Sequence, residues 1–506
     1  MRRFLTFLLI YLTLLSPAFP TSRGAELLLL FANKIATGPI PAVSQNFLSN
    51  TSPPTWLNYS GITGNRMMYD STGTLTWAPN NQYINSNAAT STARTITTAA
   101  GVNYYIWIQT SSGTATVVAS GTNTTTFNGS AGGTFTAFTA TAGTLTLTPT
   151  TNFANITQVV VAQITYESAL RSGDNVVTGA AAYFGPRFDY PGGVAAGLLI
   201  EESRTNIALW NRDLTNAAWT KTNVTAALNQ TGIDGTANSA STITASAGNG
   251  TVLQAITLAS SQRFQSTFTK RITGTGTVNM TTDGGATWTA ITVTGSWARV
   301  SIPAQTVTNP SIGFQIVTNG DAIAVDYVQN ENGAFATSPI YTTTASVTRA
   351  ADIIKLSGTA LSTMQGSAVS VVAESKVMAL SAVNSGALFG PDTIAQALQL
   401  VQNGVDGWSM SKNNVGTIIN TSGTLTAGTV TRVATAYATL DEAISVSGAT
   451  PVTATTTTFA SPTTEYFGST YGGIGLLNGW YRGFSVYNSR LSNATLQTKS
   501  VVGSAY

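Results

Sequence analysis

The chain has 506 residues, 43% of them apolar and only 8% charged, and it contains neither cysteine nor histidine. Without cysteine there are no disulfides, thiolate metal sites or thiol redox chemistry. Without histidine, Ser–His–Asp, Cys–His and His–zinc catalysis are excluded as well. A net charge of +3 spread over this length, with no Lys/Arg cluster after Arg2 and Arg3, argues against a nucleic-acid partner.

The length predicts about three or four domains. Low charge with a high apolar fraction predicts a folded chain, because disordered chains are usually highly charged. The load of Thr and Gly favours strands joined by tight turns, since Thr suits a pleated, half-buried surface and Gly supplies positive φ. An all-β protein follows, built as tandem antiparallel β-sandwiches.

At the N-terminus, Arg2 and Arg3 precede an apolar run from Phe4 to Leu15, followed by Pro17 and Pro20. This is the pattern of a signal peptide. The run is short for a bilayer span, and no A-x-A cleavage site follows it cleanly. A cleaved leader, a retained anchor and a start codon assigned too far upstream all fit residues 1–22. With the second apolar patch, Leu27 to Phe31, residues 1–45 read as a hydrophobic segment suited to docking into a larger assembly.

Residues 46–170 read as a hairpin followed by a small β-sandwich. The hairpin is signalled by the turns Asp70-Ser-Thr-Gly73 and Pro79-Asn-Asn between short apolar stretches. Period-two alternation at Tyr104, Ile106 and Ile108, at Phe135 and Ala137, and at Leu145 and Leu147 predicts antiparallel strands with one buried face. Residues 171–203, with YFGPRFDYPGG and GLLIEES, read as a connector. From 204 to 351 the alternation resumes at Phe264 and Phe268, at Trp297, Val300 and Ile302, and at Ile312, Phe314 and Ile316, which predicts a second sandwich. ITQVVVAQITYESA aligns weakly with DAIAVDYVQNENGA, Val159 on Val325 and Gln163 on Gln329, and predicts one topology for both sandwiches. Residues 352–506 form a third strand-rich unit in which Trp480, Phe484 and Val486 share a strand face and Leu491 to Leu496 forms a short helical turn.

TTDGGATW, Thr281 to Trp288, has the form of the sialidase Asp-box, in which Asp and Gly close a hairpin and Trp packs beneath it. Only one copy is present. Asp283, Gly285 and Trp288 are therefore read as a structural turn. The acidic residues are scattered, and the adjacent pairs Glu201–Glu202 and Asp441–Glu442 point to opposite faces of a strand, unlike the facing carboxylates of glycoside hydrolysis. Nine tryptophans and seventeen tyrosines supply flat rings of the kind that stack on a pyranose. Those in turn-rich stretches, Trp408, Tyr466 and Tyr471, are the expected carbohydrate-binding residues. No catalytic residue, metal ligand or cofactor is expected.

RMMYDSTGTLTWAPNN, YFGPRFDYPGG and GLLIEESRTNIALWNRDLTNAAWTKTNVT resemble a family of tailed-bacteriophage virion proteins, the head-spike, head-fibre and tail-fibre proteins. The resemblance rests on Asp70 to Leu75, Gly185 to Tyr190, Gly197 to Asn206 and Trp210 to Trp219. GSWARVSI and VDYVQNENGAFATSPI look like late strands of carbohydrate-binding-module-like jelly rolls in that family. LLNGWYRGFSVYNSRLSNATLQ is similar to the last strands of laminin-G or concanavalin-like sandwiches. Calcium-binding laminin-G domains use acidic loop residues, and this C-terminal unit offers only Asp392, Asp406 and Glu465, so no metal is expected.

The resemblance implies a virion appendage, on head or tail, that adsorbs to host-surface glycans. It also implies contacts with other virion proteins through the N-terminal segment, and a homo-oligomer, expected to be a trimer. A secreted protein is the alternative location. The alternative functions are a decoration or fibre protein without a ligand, and a polysaccharide depolymerase. The depolymerase reading is disfavoured by the absence of a solenoid period.

Overall fold

The computed structural model describes residues 39–49, 54, 56–59, 66–78, 80, 81, 83, 90–98, 103–131, 133–141, 143–163, 183, 184, 186–379, 386–391, 398–402, 407–412, 416–420, 425–455, 461–470 and 475–505. The chain divides into Met1–Pro41 and Ala42–Tyr506. The apolar N-terminal runs lie outside the described residues. Among the described residues the fold is all-β, with antiparallel sheets and two short α-helices, Gly358–Met364 and Asn493–Lys499.

The largest sandwich is assembled from both ends of the sequence. Its eight-stranded sheet runs Phe188–Asp189, Gly197–Ile200, Gly479–Tyr487, Val369–Val377, Val430–Ala438, Asp441–Val446 and Val452–Ala454, with Val43–Asn46 also on Gly479–Tyr487. The second sheet, of seven strands, runs Leu57–Tyr59, Ile354–Leu356, Glu465–Phe467, Ala387–Pro391, Leu398–Gln402, Trp408–Lys412 and Gly416–Asn420. One core takes side chains from both sheets, among them Phe47, Phe188, Leu198, Val371, Phe389, Trp408, Phe467, Tyr481 and Phe484. The strand Val369–Val377 is buried on both faces, although Ser370, Glu374 and Ser375 stand among its buried residues. Val371 and Ala373 enter this core, while Val372 packs outward under Leu491 and Leu496. Leu496 belongs to the helix Asn493–Lys499, whose first turn is capped by Ser492 accepting from the Thr495 amide at 3.2 Å.

The small sandwich pairs a three-stranded sheet, Thr134–Thr139, Asn103–Thr110 and Ile156–Gln163, with a four-stranded one, Arg94–Thr97, Thr144–Thr151, Ala115–Gly121 and Thr126–Gly129. Tyr104, Ile106, Ile108, Leu145 and Leu147 face its core, in the alternation expected. On Thr134–Thr139 the inward residue is Phe138. Ala137 is exposed, contrary to the expected register. Phe138 lies opposite Tyr104 and stacks on it at 5.8 Å, so cross-strand pairing sets the face.

The middle sandwich has two five-stranded sheets. One runs Thr220–Thr222, Gly250–Ala255, Ser311–Ile316, Val278–Thr281 and Thr289–Ile291; the other runs Val224–Gln230, Ala240–Ala245, Ala322–Asn332, Ser261–Thr273 and Ala298–Val307. Ile302, Ile312, Phe314 and Ile316 are core, as expected. Phe268 and Trp297 turn away from that core, and with Tyr327 they pack on Met67 and Leu75 of the hairpin. The anticipated repeat does not extend to topology. Ile156–Gln163 is the last strand of its sheet, whereas Ala322–Asn332 lies in the centre of its own.

Linear boundaries at 46–170, 171–203, 204–351 and 352–506 therefore differ from the sheets. Val43–Asn46, Leu57–Tyr59 and two strands of the expected connector belong to the C-terminal sandwich, and the other two sandwiches are inserted between its strands. The short edge strands lack a core of their own. Their apolar side chains are buried in a core completed by residues from the C-terminal part of the chain, among them Phe467, Tyr481 and Phe484.

A buried charge network closes this arrangement. Arg187 donates to Glu201 Oε2 at 2.6 Å, to Ser338 Oγ at 2.7 Å and to the Met67 carbonyl at 3.1 Å, and also pairs with Asp352. Arg66 pairs with Asp352, and Arg349 lies 3.0 Å from Glu201 Oε2. These five charged side chains are all buried. Burial pushes the Glu201 carboxyl up, but Arg349, Arg187 and two hydrogen bonds from Ser338 outweigh it and bring it down to about 2. The hairpin Met67–Tyr69/Leu75–Trp77 is tied in beside it, since the Tyr69 amide and the Trp480 indole donate to Asp189 at 2.6 and 2.8 Å. At the hairpin turn, Asp70 accepts from the Thr72 and Thr74 amides at 2.9 and 3.0 Å. Gly73 sits at φ 82, where a Cβ would lie 2.6 Å from the Gly193 amide.

Arg187→Met is expected to cost about 3–5 kcal/mol, because it leaves buried carboxylates short of a partner. An unchanged urea midpoint at pH 7 would show that the network does not hold the junction. Glu201 ionises more readily in the folded chain than at its ordinary value of 4.5. Its contribution is therefore present above that value and lost as pH falls through about 2. Melting curves between pH 5 and pH 2 should accordingly fall more steeply for the wild type than for Glu201→Gln, and parallel curves would refute the assignment.

Candidate functional site

Several residues predicted from sequence are not where a ligand could reach them. Trp408 is 0% exposed, with its ring in the core and its Nε1 donating to Thr431 Oγ1 at 3.3 Å. Its turn-rich context misleads because the chain leaves the turn at Gly407, at φ 115, straight into a strand whose inner face begins with Trp408. Tyr466 is 9% exposed and is covered by the Lys355 ammonium, 5.0 Å from its ring centroid. Tyr471, Asp392 and Asp406 lie outside the described residues. Glu465 is wholly buried, and among the described residues no group of three acidic side chains converges to hold a metal.

The Asp-box segment forms the expected hairpin turn between Val278–Thr281 and Thr289–Ile291. Asp283 Oδ1 accepts from Thr281 Oγ1 at 2.7 Å and from the Thr287 amide at 2.9 Å. Gly285, at φ 94, lies over Trp288, where a Cβ would come within 2.7 Å of the indole.

The site that the structure does assemble is a cleft of about 320 Å³ on the middle sandwich. Trp210, Arg212 and Asp213 come from the loop after the strand Arg204–Asn206, and Asp234, Thr236, Asn238 and Ser239 from the loop between Val224–Gln230 and Ala240–Ala245. Leu228 and Tyr327 come from strands, Tyr341 and Thr342 from the segment after Ala322–Asn332. Trp210 and Tyr341 are half-buried and both line the cleft, Trp210 packed against the sandwich core and Tyr341 edge-on to Tyr327 with ring centroids 6.5 Å apart.

Arg212 organises the floor. It donates from Nε to Asp326 at 2.7 Å, from Nη1 to Asp234 at 2.7 Å, and from Nη2 to Asp234 and Ser239 at 2.8 and 2.7 Å. Its plane lies 4.2 Å from the centroid of Tyr327, whose hydroxyl donates to Asp234 at 3.1 Å. Burial pushes the Asp326 carboxyl up to about 6 against the pull of Arg212. The two carboxylates keep the guanidinium charged, as its intrinsic basicity demands. A Cβ at Gly232 would stand 2.2 Å from Arg212 Nη2, so this loop position needs glycine to let the guanidinium through.

Two aromatic residues of the cleft hold left-handed backbone: Trp210 at φ 47 and Tyr327 at φ 46. Asparagine holds most of the other positive-φ positions outside glycine. A bulky residue there costs about 1–3 kcal/mol and persists only where its surroundings over-determine it. Hydrogen bonds from neighbouring segments supply that constraint. Asn206 donates to the Val328 and Ile340 carbonyls, each at 3.0 Å, and Asn211 donates to Ile340 and accepts from the Thr342 amide, also at 3.0 Å. The buried Trp219 indole donates to the Leu209 carbonyl at 3.1 Å. Lys221 folds back beneath the same loop, its ammonium donating to the carbonyls of Leu214, Thr215, Asn216 and Trp219 at 2.7–3.1 Å.

Sequence reasoning missed this cleft. Trp210 to Trp219 stood out only through a resemblance, and the partners Asp234, Tyr327 and Tyr341 lie on three other segments. The one local cue was the density of Asn, Arg, Asp and Trp in WNRDLTNAAW, unusual in a chain so poor in charge.

Fold and cleft together define an all-β protein of antiparallel sandwiches, one of which carries an aromatic-flanked polar cleft. No protein-family model and no curated protein matches the sequence. Among solved structures, the chain is similar to the CBM40 carbohydrate-binding module of Ruminococcus gnavus IT-sialidase bound to α2,3-sialyllactose, at 14% identity and a TM-score of 0.25, over 28% of this chain and 87% of that one. It is similar to the CBM22 tandem of Paenibacillus barcinonensis Xyn10C at 10% identity and a TM-score of 0.22, over 60% and 99% of the two chains. Domains LG4-5 of the mouse laminin α1 chain match at 11% identity and a TM-score of 0.19, over 49% and 88%. These likenesses concern fold alone.

Lys221→Met keeps the aliphatic stem but strips four carbonyls of their donor. It should destabilise the middle sandwich by about 1–3 kcal/mol. A wild-type urea midpoint for this variant would show that the ammonium does not hold the loop.

Proposed function

We propose that this chain is an adsorption protein of a phage particle, and that its middle sandwich holds a host-surface glycan in the Trp210–Tyr341 cleft. The observation that carries the glycan reading is the pairing of two half-buried aromatic rings with a fixed polar floor in one cleft. Rings of this kind stack on the apolar face of a pyranose while hydroxyl, amide and carboxylate groups meet its edges. The left-handed backbone at Trp210 and Tyr327 supports a binding role, because strain held by surrounding structure marks sites that are shaped in advance.

Binding without turnover is the form this reading takes. Asp234 and Asp326 spend their oxygens on Arg212, Tyr327 and backbone amides. Neither is held apart as a proton donor or nucleophile of the kind that glycoside hydrolysis requires. The setting on a virion, contacts with other virion proteins and a trimeric assembly rest on the resemblance of RMMYDSTGTLTWAPNN, YFGPRFDYPGG and the segment around Trp210 to head-spike and fibre proteins.

A glycan array probed with the purified chain should show binding that falls about ten-fold or more in Trp210→Ala and in Tyr341→Ala, as expected for loss of a stacking platform. A chain that binds nothing on the array, or whose binding ignores both substitutions, would favour a fibre protein without a ligand in this cleft. Shortening of a host polysaccharide by the chain would favour a depolymerase.

A further inference from the structure

We propose that the cleft selects an uncharged sugar and turns away acidic ones; this rests on the reading of the cleft as a glycan site. Arg212 is the single cation among the described residues that line the cleft. Every nitrogen of its guanidinium is engaged, by Asp326, Asp234 and Ser239, and one face is covered by Tyr327. Nη1 keeps one N–H beyond its bond to Asp234, so a sugar carboxylate could gain a single one-point contact there; the two-point geometry, the strongest an arginine offers, is already taken by Asp234.

The remaining charge is negative. Asp213 and Asp234 both line the cleft against Arg212 alone, and Asp326 lies buried behind them, its carboxyl pushed up by burial to about 6 and so ionised at neutral pH. Lys221 is the next cation along the chain, and its ammonium is turned onto four backbone carbonyls. An acidic ligand would therefore enter a field of its own sign, with no further cation among the described residues that line the cleft to meet it. A neutral pyranose meets no such penalty. Trp210 and Tyr341 offer ring surface, and the exposed Thr236 and Asn238 offer uncharged hydrogen-bonding groups at the rim.

The test uses matched probes with the full chain, by titration calorimetry: lactose against 3′-sialyllactose, and xylotetraose against its 4-O-methylglucuronate-substituted form. At low salt and pH 7.5 the neutral member of a recognised pair should bind about ten-fold or more tightly than its acidic partner. The gap should narrow in about 1 M salt, where the screening length falls to about 3 Å, and should narrow in Asp213→Asn. Binding of the neutral member should fall in both Trp210→Ala and Tyr341→Ala. Acidic members that bind as tightly as neutral ones, with binding still lost in those two variants, would overturn the selectivity and leave the glycan site standing. Failure of every probe in these pairs and on the array, or binding that ignores both aromatic substitutions, would overturn the glycan reading and the selectivity with it.

Discussion

Three guanidinium groups and two carboxylates are buried at one point in this protein, and the architecture turns on them. Arg66, Arg187 and Arg349 meet Glu201 and Asp352 around the Ser338 hydroxyl, which donates to Glu201 while accepting from two of the arginines. Removing such charges from water carries a large desolvation cost, offset only when each is paired and hydrogen-bonded in good geometry. That requirement is met by bringing together the hairpin, the connector, the exit of the middle sandwich and the strand leading into the last sandwich. Parting the hairpin from Asp352, or the connector from either Asp352 or Arg349, breaks a buried ion pair. The junction is therefore a structural device, and Glu201 belongs to it.

The cleft depends on that junction. Ser338 is fixed by Glu201 and Arg187, and a few residues further on Ile340, Tyr341 and Thr342 are clamped to Asn206 and Asn211. The loop that carries Trp210 and Arg212 is thus held from both sides before any ligand arrives. A site shaped in this way loses little conformational freedom on binding.

Much of the local structure was legible from residue pattern. Alternation identified the buried faces at Tyr104, Ile106 and Ile108 and at Ile312, Phe314 and Ile316, because a strand with one wet face writes its burial with period two. Asp70 and Asp283 announced their turns because a short carboxylate closes such a loop through its own neighbours. The pattern failed where both faces are buried or where pairing reaches far along the chain. Phe268 and Trp297 face a hairpin some two hundred residues upstream, and Phe138 takes the inward place next to Ala137 because Tyr104 lies opposite it. Trp408 looked like a loop aromatic, and only its strand partners put it in the core.

The sequence by itself determined the β class, the turns and the absence of cysteine and histidine chemistry, since each depends on composition or on neighbours a few residues apart. Tertiary structure alone decided that the last sandwich is discontinuous, that Glu201 is a buried strut, and that Trp210, Asp234, Tyr327 and Tyr341 share one cleft. The physical reason is the same for all three. Burial and ion pairing act through space between residues that may be hundreds of positions apart, and no short-range pattern in the chain records which distant partner will fill a given face.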